Sequence, residues 1–334
     1  MPGSAIAVLG AGSWGTSLAV HLARNGHAVH LWDRKPEAVE AMSRTRTNAR
    51  YLPNIEFPPT LTPTADLEAV CAACDDLLIA VPSKAFRGFL KTLQPHLRPT
   101  ARLIWATKGL EVESGKFLHQ VLEEELGVSR PYAVISGPSF AWEVACGLPT
   151  AITVAGGNAA FCREVATILH SETFRAYTSD DLIGVQLGGA LKNVMAIAAG
   201  ISDGLGFGAN ARAALVTRGL AEMVRLGDRL GARAETLMGL SGLGDLVLTC
   251  TDDQSRNRRL GLALGQGKAL ESALRDIGQA VEGAVTAKVV MRLAGGTEVE
   301  LPISQQVFRV LYEGIAPRAA VSELLGRDLK PELG

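Results

Sequence analysis

A glycine-rich turn near the start of the chain constrains the fold more than any other feature of the sequence. Gly10, Gly12 and Gly15 follow the apolar run Ala5–Leu9 and open the helical pattern Ser13–Asn25. A buried strand that passes through such a turn directly into a helix is typical of a βαβ unit, in which the next strand lies parallel to the first. The chain is therefore expected to begin with a layered α/β fold.

Strand and helix patterns alternate over the first half of the chain. Further short apolar runs typical of strands are Ala28–Trp32, Leu77–Val81, Arg102–Ala106, Ala133–Ser136 and Ala151–Val154. This alternation predicts a Rossmann-type, doubly wound sheet that binds ligands at the carboxyl ends of its strands. The proline-rich stretch from Pro53 to Pro63 is too long and too punctuated for a simple connection.

The pattern changes near Thr178–Leu182, after which every strong segment is helical. The clearest helical patterns are Ile183–Ile201, Ala211–Leu230, Val281–Leu293 and Ile303–Leu311. We therefore predict an α/β domain over residues 1–180 and an all-helical C-terminal domain over residues 181–334. A chain of 334 residues is long enough for two such cores.

One predicted helix, Ile183–Ile201, is apolar almost all the way round, yet it carries Lys192 at its middle. Such a helix is either a membrane span or the buried centre of a domain. The acidic flanks at Asp181 and Asp203 and the cost of a central lysine in a bilayer argue against membrane insertion. Lys192 is then either a buried functional cation or a lysine whose stem packs while its head reaches water.

Composition excludes several classes of protein. A net charge of −1 and a hydrophobic fraction of 47% predict neither a nucleic-acid surface nor a disordered tail. The N-terminus has no secretory pattern, and five cysteines, an odd number, favour reduced thiols in the cytoplasm. Cys71 and Cys74 form a lone C-x-x-C at the end of a predicted helix, which favours a structural role over a redox one. The histidines are scattered, so no metal site is predicted.

The glycine-rich turn has the spacing of dinucleotide-binding loops. Gly10 permits the tight turn, Gly12 lets the backbone approach a pyrophosphate, and Gly15 lets helix and strand pack closely. Asp33 ends the second predicted strand, where a partner of the ribose 2′-hydroxyl is expected. Arg34 directly after it could accommodate a 2′-phosphate, so the cofactor is predicted to be NAD or NADP, unless this segment is only a solvated basic turn.

Three polar clusters elsewhere suit a phosphorylated carbonyl substrate. Lys108, and then Gly137 and Ser139, follow predicted strands, and Gly137 and Ser139 are expected to present hydrogen-bond donors at the edge of the sheet. In the helical part, the run Ser255–Asn257 at a helix start offers a hydroxyl, a guanidinium and an amide to an anion. Each cluster alone is more often a helix cap or a surface turn.

Together these clusters resemble one family, the bacterial NAD(P)-dependent glycerol-3-phosphate dehydrogenases, over essentially the whole chain. The matching strings, in the family's order, are G-A-G-S-W-G-T at Gly10–Thr16, K-G-L-E at Lys108–Glu111, S-G-P-S-F-A at Ser136–Ala141, A-L-K-N-V at Ala190–Val194, G-L-G-D-L at Gly242–Leu246 and T-C-T-D-D-Q-S-R-N-R-R at Thr249–Arg259. The resemblance implies reversible reduction of dihydroxyacetone phosphate to sn-glycerol 3-phosphate, which supplies phospholipid synthesis.

The resemblance also implies roles for individual residues. Lys192 matches the family's acid/base, while Lys108 and Asp245 match residues around the reacting oxygen. Substrate-binding positions are matched by Lys108, Gly137, Ser139, Lys192, Asp245, Ser255, Arg256 and Asn257. Cofactor-binding positions are matched by Ser13, Trp14, Arg34, Tyr51, Lys108, Ala141, Arg256, Ala280 and Glu282, in addition to the three glycines of the turn.

The chemistry of carbonyl reduction agrees with these roles. Hydride transfer leaves negative charge on oxygen, which needs a proton donor and nearby cations. Lys192 is expected to donate the proton, Lys108 to stabilise the charge and Asp245 to orient the ammonium group. Because Lys108 belongs to the first predicted domain and the others to the second, the site is expected in the cleft between domains.

Two other functions remain open at this level. Another two-domain hydroxyacid dehydrogenase would explain the glycine-rich turn and Lys192, but it gives no reason for the anion-binding run Ser255–Asn257. A non-catalytic dinucleotide sensor would need the turn but neither Lys192 nor Asp245. Surplus apolar helical surface and the family resemblance favour a homodimer, with a small molecule as the other partner.

Overall fold

The first apolar run of the sequence forms a central strand, β1 (Ile6–Leu9), in the computed structural model, which describes residues 5–328. Its side chains alternate between two cores: Ile6 and Val8 lie in one, and Ala7 and Leu9 lie in the other. A strand buried on both faces requires helices on both sides of the sheet. This explains why β1, which has no polar residue, is an interior strand of the sheet.

Two compact units divide the chain, Met1–Gln186 and Leu187–Gly334. The first unit holds the sheet. Its remaining strands are β2 (Val29–Trp32), β3 (Thr47–Asn48), β4 (Leu52–Glu56), β5 (Leu61–Thr64), β6 (Asp76–Ile79), β7 (Arg102–Trp105), β8 (Tyr132–Ser136), β9 (Thr150–Ala155) and β10 (Phe174–Ser179).

The main sheet of the first unit has the order β10-β9-β8-β7-β6-β1-β2-β5, and β3 pairs with β4 in a separate hairpin. Neighbouring strands are parallel except for β9, which runs antiparallel to β8. Because β1 lies between β2 and β6, the connections diverge on its two sides and open a crevice at its carboxyl end. The predicted Rossmann-type, doubly wound sheet is confirmed, with its last two strands reversed.

The sequence patterns did not reveal the two edge strands, β5 and β10. Strand β5 contains Pro63, and a proline is tolerated in a sheet only at an edge or a bulge. Strand β10 has the sequence F-R-A-Y-T-S and is mostly exposed, so it lacks the apolar run that marks a buried strand. The same proline-rich stretch also contains most of β4, which pairs with β3 in the separate hairpin.

Helices cover both faces of the sheet in the first unit. They are α1 (Ser13–Arg24), α2 (Pro36–Thr45), α3 (Leu67–Ala73), α4 (Phe86–Leu93), α5 (Leu118–Leu126), α6 (Ala141–Ala145) and α7 (Ala159–Leu169). Helix α8 (Leu182–Gly204) starts in the first unit and runs into the second. It contains a window of mean hydropathy 1.4, of which 89% is buried, so α8 is a core helix of the folded chain.

The second unit is helical throughout its described part, as predicted. Its helices are α9 (Ala209–Leu230), α10 (Ala234–Leu237), α11 (Asp245–Thr251), α12 (Arg256–Gly265), α13 (Leu270–Ile277), α14 (Glu282–Thr297), α15 (Pro302–Tyr312) and α16 (Pro317–Leu325). A short π-helical segment, Leu240–Gly244, leads into α11.

Helices α8 and α12 pack backbone against backbone. Gly200 and Gly204 on α8 face Gly261 and Gly265 on α12, four residues apart on each helix. A Cβ atom at Gly261 would lie 2.0 Å from the carbonyl oxygen of Ile197, far inside van der Waals contact. The close approach places the start of α12 next to the part of α8 that follows Lys192.

Candidate active site

The three glycines of the turn after β1 have different neighbours. A Cβ atom at Gly10 would lie 2.8 Å from the carbonyl oxygen of Ala80, and one at Gly15 would lie 2.0 Å from the carbonyl oxygen of Gly10. A Cβ atom at Gly12 would meet no atom of the described chain within 4 Å. The protein's own packing thus requires Gly10 and Gly15. The open space at Gly12 fits the approach of a phosphate group to the backbone.

The start of α1 is suited to an anion. Gly12 stands at the N-cap position and supplies no side-chain cap, so the helix dipole and the first N–H groups face the crevice beyond β1. Asn48 holds the turn in place, because its Nδ2 donates to the carbonyl oxygen of Ala11 at 2.9 Å and to Oγ1 of Thr16 at 2.8 Å. The backbone N–H of Tyr51 donates to the carbonyl oxygen of Asn48 at 3.2 Å. No local pattern predicted this role of Asn48, because the residue reaches the turn from a hairpin that is distant in sequence.

Other residues matched to cofactor binding lie elsewhere in the first unit. Asp33 follows β2, and its Oδ1 accepts a hydrogen bond from the backbone N–H of Lys35 at 2.9 Å. Arg34 between them is exposed. Trp14 and Ala141 are partly buried and pack against one apolar core of the first unit.

Lys108 and the turn after β8 meet in the first unit. The Lys108 Nζ donates to the carbonyl oxygen of Gly137 at 2.7 Å and lies 3.4 Å from Ser139 Oγ, which itself donates to that carbonyl at 2.9 Å. The Gly137 carbonyl oxygen thus accepts from both side chains. The expectation that Gly137 and Ser139 present donors to a substrate stays a prediction. The Gly137 backbone has φ of +152° and lies against Ile152, where a Cβ atom would be 2.9 Å from Ile152 Cα.

A buried ion pair lies in the second unit. Lys192 is 8% exposed, and its Nζ donates to Asp245 Oδ1 at 2.5 Å and to Thr249 Oγ1 at 2.9 Å. The Thr249 hydroxyl in turn donates to the carbonyl oxygen of Asp245 at 2.6 Å. A lysine and a carboxylate that both lie away from water are stable only when paired and hydrogen bonded in this way. The choice between a buried and a snorkelling Lys192 is thus decided in favour of burial.

The π-helical backbone before α11 positions the Asp245 side chain next to Lys192. Asp245 is fully buried and follows the π-helical segment, with its N–H donating to the carbonyl oxygen of Leu240. The glycines of this segment are required by packing: a Cβ atom at Gly242 would lie 1.9 Å from the carbonyl oxygen of Leu237. On α8, a Cβ atom at Gly188 would lie 2.5 Å from the carbonyl oxygen of Ser241. Irregular π-helical turns often occur at functional sites.

The start of α12 is tied to the helix that carries Lys192. Ser255 is the N-cap of α12, and its Oγ accepts from the N–H of Arg258 at 3.2 Å. The Asn257 amide donates to Asn193 Oδ1 at 2.8 Å and accepts from the N–H of Gly283 at 2.8 Å. The structure therefore brings together three segments that are far apart in sequence: Ala190–Val194, Ser255–Asn257 and the start of α14.

Arg256 reaches towards the start of α14. Its Nη1 donates to Gln279 Oε1 at 3.3 Å, near Ala280 and Glu282. Burial lowers the pKa of Arg256, and the carboxylate of Glu282 opposes that shift. A partly buried guanidinium beside a helix start is suited to bind an anion.

Sequence reasoning missed two residues of this site, Thr249 and Gln279. Thr249 follows Asp245 by one helical turn, so the i, i+4 spacing could have revealed it. Gln279 lies outside every string that matched the family, and no local signal marks it.

The C-x-x-C pair has no reactive character. Cys71 and Cys74 are both buried free thiols at the end of α3. Burial raises the pKa of each thiol to about 11, which disfavours the thiolate that redox and metal chemistry require. These cysteines pack in one apolar core of the first unit.

The crevice at the carboxyl end of β1, with an open Gly12 at a helix N-terminus, is typical of dinucleotide-dependent oxidoreductases. Comparison with known families agrees with this class and narrows it. Residues 5–162 match the family described as "NAD-dependent glycerol-3-phosphate dehydrogenase N-terminus", and residues 181–322 match the corresponding C-terminus. The chain belongs to the NAD-dependent glycerol-3-phosphate dehydrogenase family.

Individual relatives are similar over nearly their whole length. The glycerol-3-phosphate dehydrogenase [NAD(P)+] of Thioalkalivibrio sulfidiphilus is 64% identical, over 98% of this chain and 98% of the relative. That of Nitrosococcus oceani is 61% identical, over 97% and 94%. The crystal structure of glycerol-3-phosphate dehydrogenase from Coxiella burnetii has a TM-score of 0.94 at 51% identity and covers 97% of this chain and 99% of that one.

The expected activity is thereby confirmed. The protein catalyses the reversible, NAD(P)H-dependent reduction of dihydroxyacetone phosphate to sn-glycerol 3-phosphate, a precursor of glycerophospholipids. Its cofactor is NAD or NADP. A non-catalytic sensor and another hydroxyacid dehydrogenase are no longer needed to explain the chain.

Proposed function

We propose that Lys192 is the acid/base of this reaction. The nicotinamide, when bound, supplies or receives the hydride. Lys192 would donate a proton to the substrate oxygen during reduction and recover it during oxidation. The observation that carries the proposal is the buried ammonium held between Asp245 Oδ1 at 2.5 Å and Thr249 Oγ1 at 2.9 Å.

Asp245 and Thr249 would orient the ammonium group rather than exchange protons with the substrate. The Asp245 carboxylate pairs with the ammonium group within a buried environment, and the Thr249 hydroxyl fixes the direction of one N–H. A proton donor held in this way loses little freedom at the moment of reaction. The ion pair would thus orient the Lys192 ammonium group for proton transfer to the substrate.

We also propose binding roles for the remaining matched residues. The N-terminus of α12, with Ser255, Arg256 and Asn257, would bind the substrate phosphate, because N–H groups and a guanidinium there favour a dianion. Lys108, held by Gly137 and Ser139, would add a second cation for the developing charge. The cofactor would contact Gly10, Gly12, Ser13, Trp14, Gly15, Arg34, Tyr51, Lys108, Ala141, Arg256, Ala280 and Glu282.

Replacement of Lys192 by alanine tests the acid/base proposal. Loss of a general acid lowers turnover by about 10²–10⁴-fold, and we expect that effect in Lys192→Ala with NADPH and dihydroxyacetone phosphate, followed by nicotinamide absorbance. Lys268→Ala is the matched control, because Lys268 is 42% exposed and pairs with Asp276 on the surface of the same unit. Near-native turnover of Lys192→Ala would rule out the role.

Arg34 is proposed to favour NADP over NAD. It is exposed directly after β2 and next to Asp33, where a 2′-phosphate would lie. Arg34→Ala should raise the NADPH KM about tenfold through loss of a charged hydrogen bond, and leave the NADH KM unchanged. Steady-state kinetics with the two cofactors measure this, and an unchanged NADPH KM would contradict it.

We further propose that the enzyme is a cytoplasmic homodimer. The support is a groove of about 1610 Å³ in the second unit, lined by apolar side chains that include Phe207, Val299, Val310 and Leu325, the last 80% exposed. Large exposed apolar surfaces of this kind often mark interfaces. Sedimentation equilibrium of the purified chain measures the state directly, and a monomer at micromolar concentration would contradict the proposal.

A further inference from the structure

Arg258 is a buried cation in the first turn of α12 that the proposed chemistry does not use. It is 7% exposed, although arginine is rarely buried without a reason. Its guanidinium donates in three directions: Nε to the carbonyl oxygen of Cys250 at 3.2 Å, Nη2 to Asp203 Oδ2 at 2.6 Å, and Nη1 to Asp253 Oδ1. Only a planar fork with several donors makes such a set of contacts.

The three partners of Arg258 lie on three segments that carry proposed site residues. Cys250 directly follows Thr249, a partner of Lys192, on α11. Asp253 lies in the turn that leads to Ser255 at the start of α12. Asp203 is in the last turn of α8, about three helical turns beyond Lys192. One side chain thus joins the backbone segments of the proton donor, its partners and the proposed phosphate site.

The surroundings of Arg258 leave little freedom for these segments to shift. A Cβ atom at Gly200 on α8 would lie 2.1 Å from the Arg258 carbonyl oxygen, so α12 starts in direct contact with α8. Asp203 also accepts from Arg212 Nη1 on α9 at 2.7 Å, which fixes the carboxylate from a second side. A hydrogen-bonded network built around a buried guanidinium is rigid when every member is paired.

We propose that Arg258 is a positioning residue for substrate binding. It does not touch the substrate; it holds residues 252–257 in the conformation in which Ser255, Arg256 and Asn257 bind the phosphate. The inference rests on the proposed phosphate site and adds to it the residue that sets its geometry. A site that is even slightly misplaced loses much of its binding energy, so the position of this segment has a measurable effect.

The test separates positioning from general stability by kinetics. In Arg258→Lys the charge remains but the three-way fork is lost, and we expect the KM for dihydroxyacetone phosphate to rise about tenfold while kcat changes less than threefold. Arg309→Lys is the matched control, because it is the same substitution in the same unit at a residue that pairs with Glu313 and Glu323 and has no proposed role in the site, and its KM should stay at the native value. A lowered melting temperature with native KM in Arg258→Lys would overturn the proposal.

Two further variants keep the result interpretable. Asp253 is 69% exposed, so Asp253→Asn removes one tether with little risk to folding and should raise the same KM by a smaller factor, even if Arg258→Lys does not fold. An unchanged KM there would also overturn the proposal. Arg256→Ala tests the phosphate site itself. If the KM rises in Arg256→Ala but stays native in Arg258→Lys, the phosphate site stands and only the positioning role of Arg258 is rejected. If the KM is native in both variants, the phosphate site and the positioning role are both rejected.

Discussion

Gly10, Gly12 and Gly15 belong to one motif, but each lacks a side chain for a different reason. Backbone oxygens lie 2.8 Å and 2.0 Å from the places where Cβ atoms of Gly10 and Gly15 would stand. These two glycines therefore serve the folding of the chain. The place of a Cβ atom at Gly12 has no described protein neighbour within 4 Å, so the packing of the described chain does not require this glycine, and we propose that it serves the approach of the cofactor.

The contrast predicts that Gly12→Ala separates cofactor binding from stability. The methyl group should raise the NADPH KM at least tenfold by blocking close approach of the pyrophosphate, while the free energy of unfolding should change by less than about 0.5 kcal/mol, as for an exposed substitution. Urea denaturation and steady-state kinetics measure the two quantities. Gly15→Ala is the control, because its Cβ atom would meet a backbone oxygen and should destabilise the fold. A native NADPH KM in Gly12→Ala would show that the phosphates bind elsewhere.

At the scale of elements, the contact between α8 and α12 aligns the helices of the second unit. Gly200 and Gly204 on one helix and Gly261 and Gly265 on the other allow the two backbones to touch. Helices normally pack 8–10 Å apart, and small residues are what permits a closer approach. The contact brings Asn257 within 2.8 Å of Asn193, so the geometry of the site depends on these glycines.

Gly261→Ala is expected to destabilise the second unit. Its Cβ atom would lie 2.0 Å from the carbonyl oxygen of Ile197 and force the helices apart, which costs about 1–3 kcal/mol or more. Gly295→Ala on α14 is the matched control: its Cβ atom would meet no described neighbour within 4 Å, and alanine should gain about 0.5–1 kcal/mol from helix propensity. Thermal and urea unfolding measure both. Equal stabilities of the two variants would contradict the packing argument.

At the scale of the whole molecule, burial of titratable groups makes stability depend on pH. His21 lies in the core of the first unit, with Nε2 2.7 Å from the carbonyl oxygen of Leu169 and its ring 4.5 Å from that of Phe174. Burial lowers the pKa of His21, and the nearby Arg24 charge lowers it further. Burial also lowers the pKa of His119, which contacts Gln186. Both rings are therefore neutral in the folded state at pH values where they would be protonated in the unfolded chain.

We therefore expect the free energy of unfolding to fall as the pH drops below about 6.5, the unperturbed histidine pKa. Because the unfolded state binds more protons there, the stability is fully present above that pH and is lost towards the lower pKa of the folded state. Melting temperatures at pH 7.5 and 5.5 measure the difference. His21→Gln should reduce it, whereas His170→Gln, at an exposed position, should retain it. An unchanged pH dependence in His21→Gln would remove His21 from this account.

The extent to which the sequence predicted the site differs from residue to residue. Gly12, Lys192 and Asp245 stood in strings whose types and spacing carried their chemistry, and the structure brings Lys192 and Asp245 into contact. Asn48 and Gln279 could not be predicted, because each acts through a contact with a segment distant in sequence. The strands of the sheet differ in a similar way. The buried strands could be predicted from apolar runs in the sequence, but the edge strands β5 and β10 could not.

Local periodicity and short strings of specific residues were enough to predict the doubly wound sheet, the helical second half, the dinucleotide turn and the family. Three features became visible in the folded chain alone: the burial and pairing of Lys192, the acceptor role of the Gly137 carbonyl oxygen, and the contacts of Arg258 with three segments. Periodicity reports which face of an element is apolar, whereas hydrogen-bond partners depend on how distant elements pack. In the second unit, the close contact between α8 and α12 determines which side chains meet.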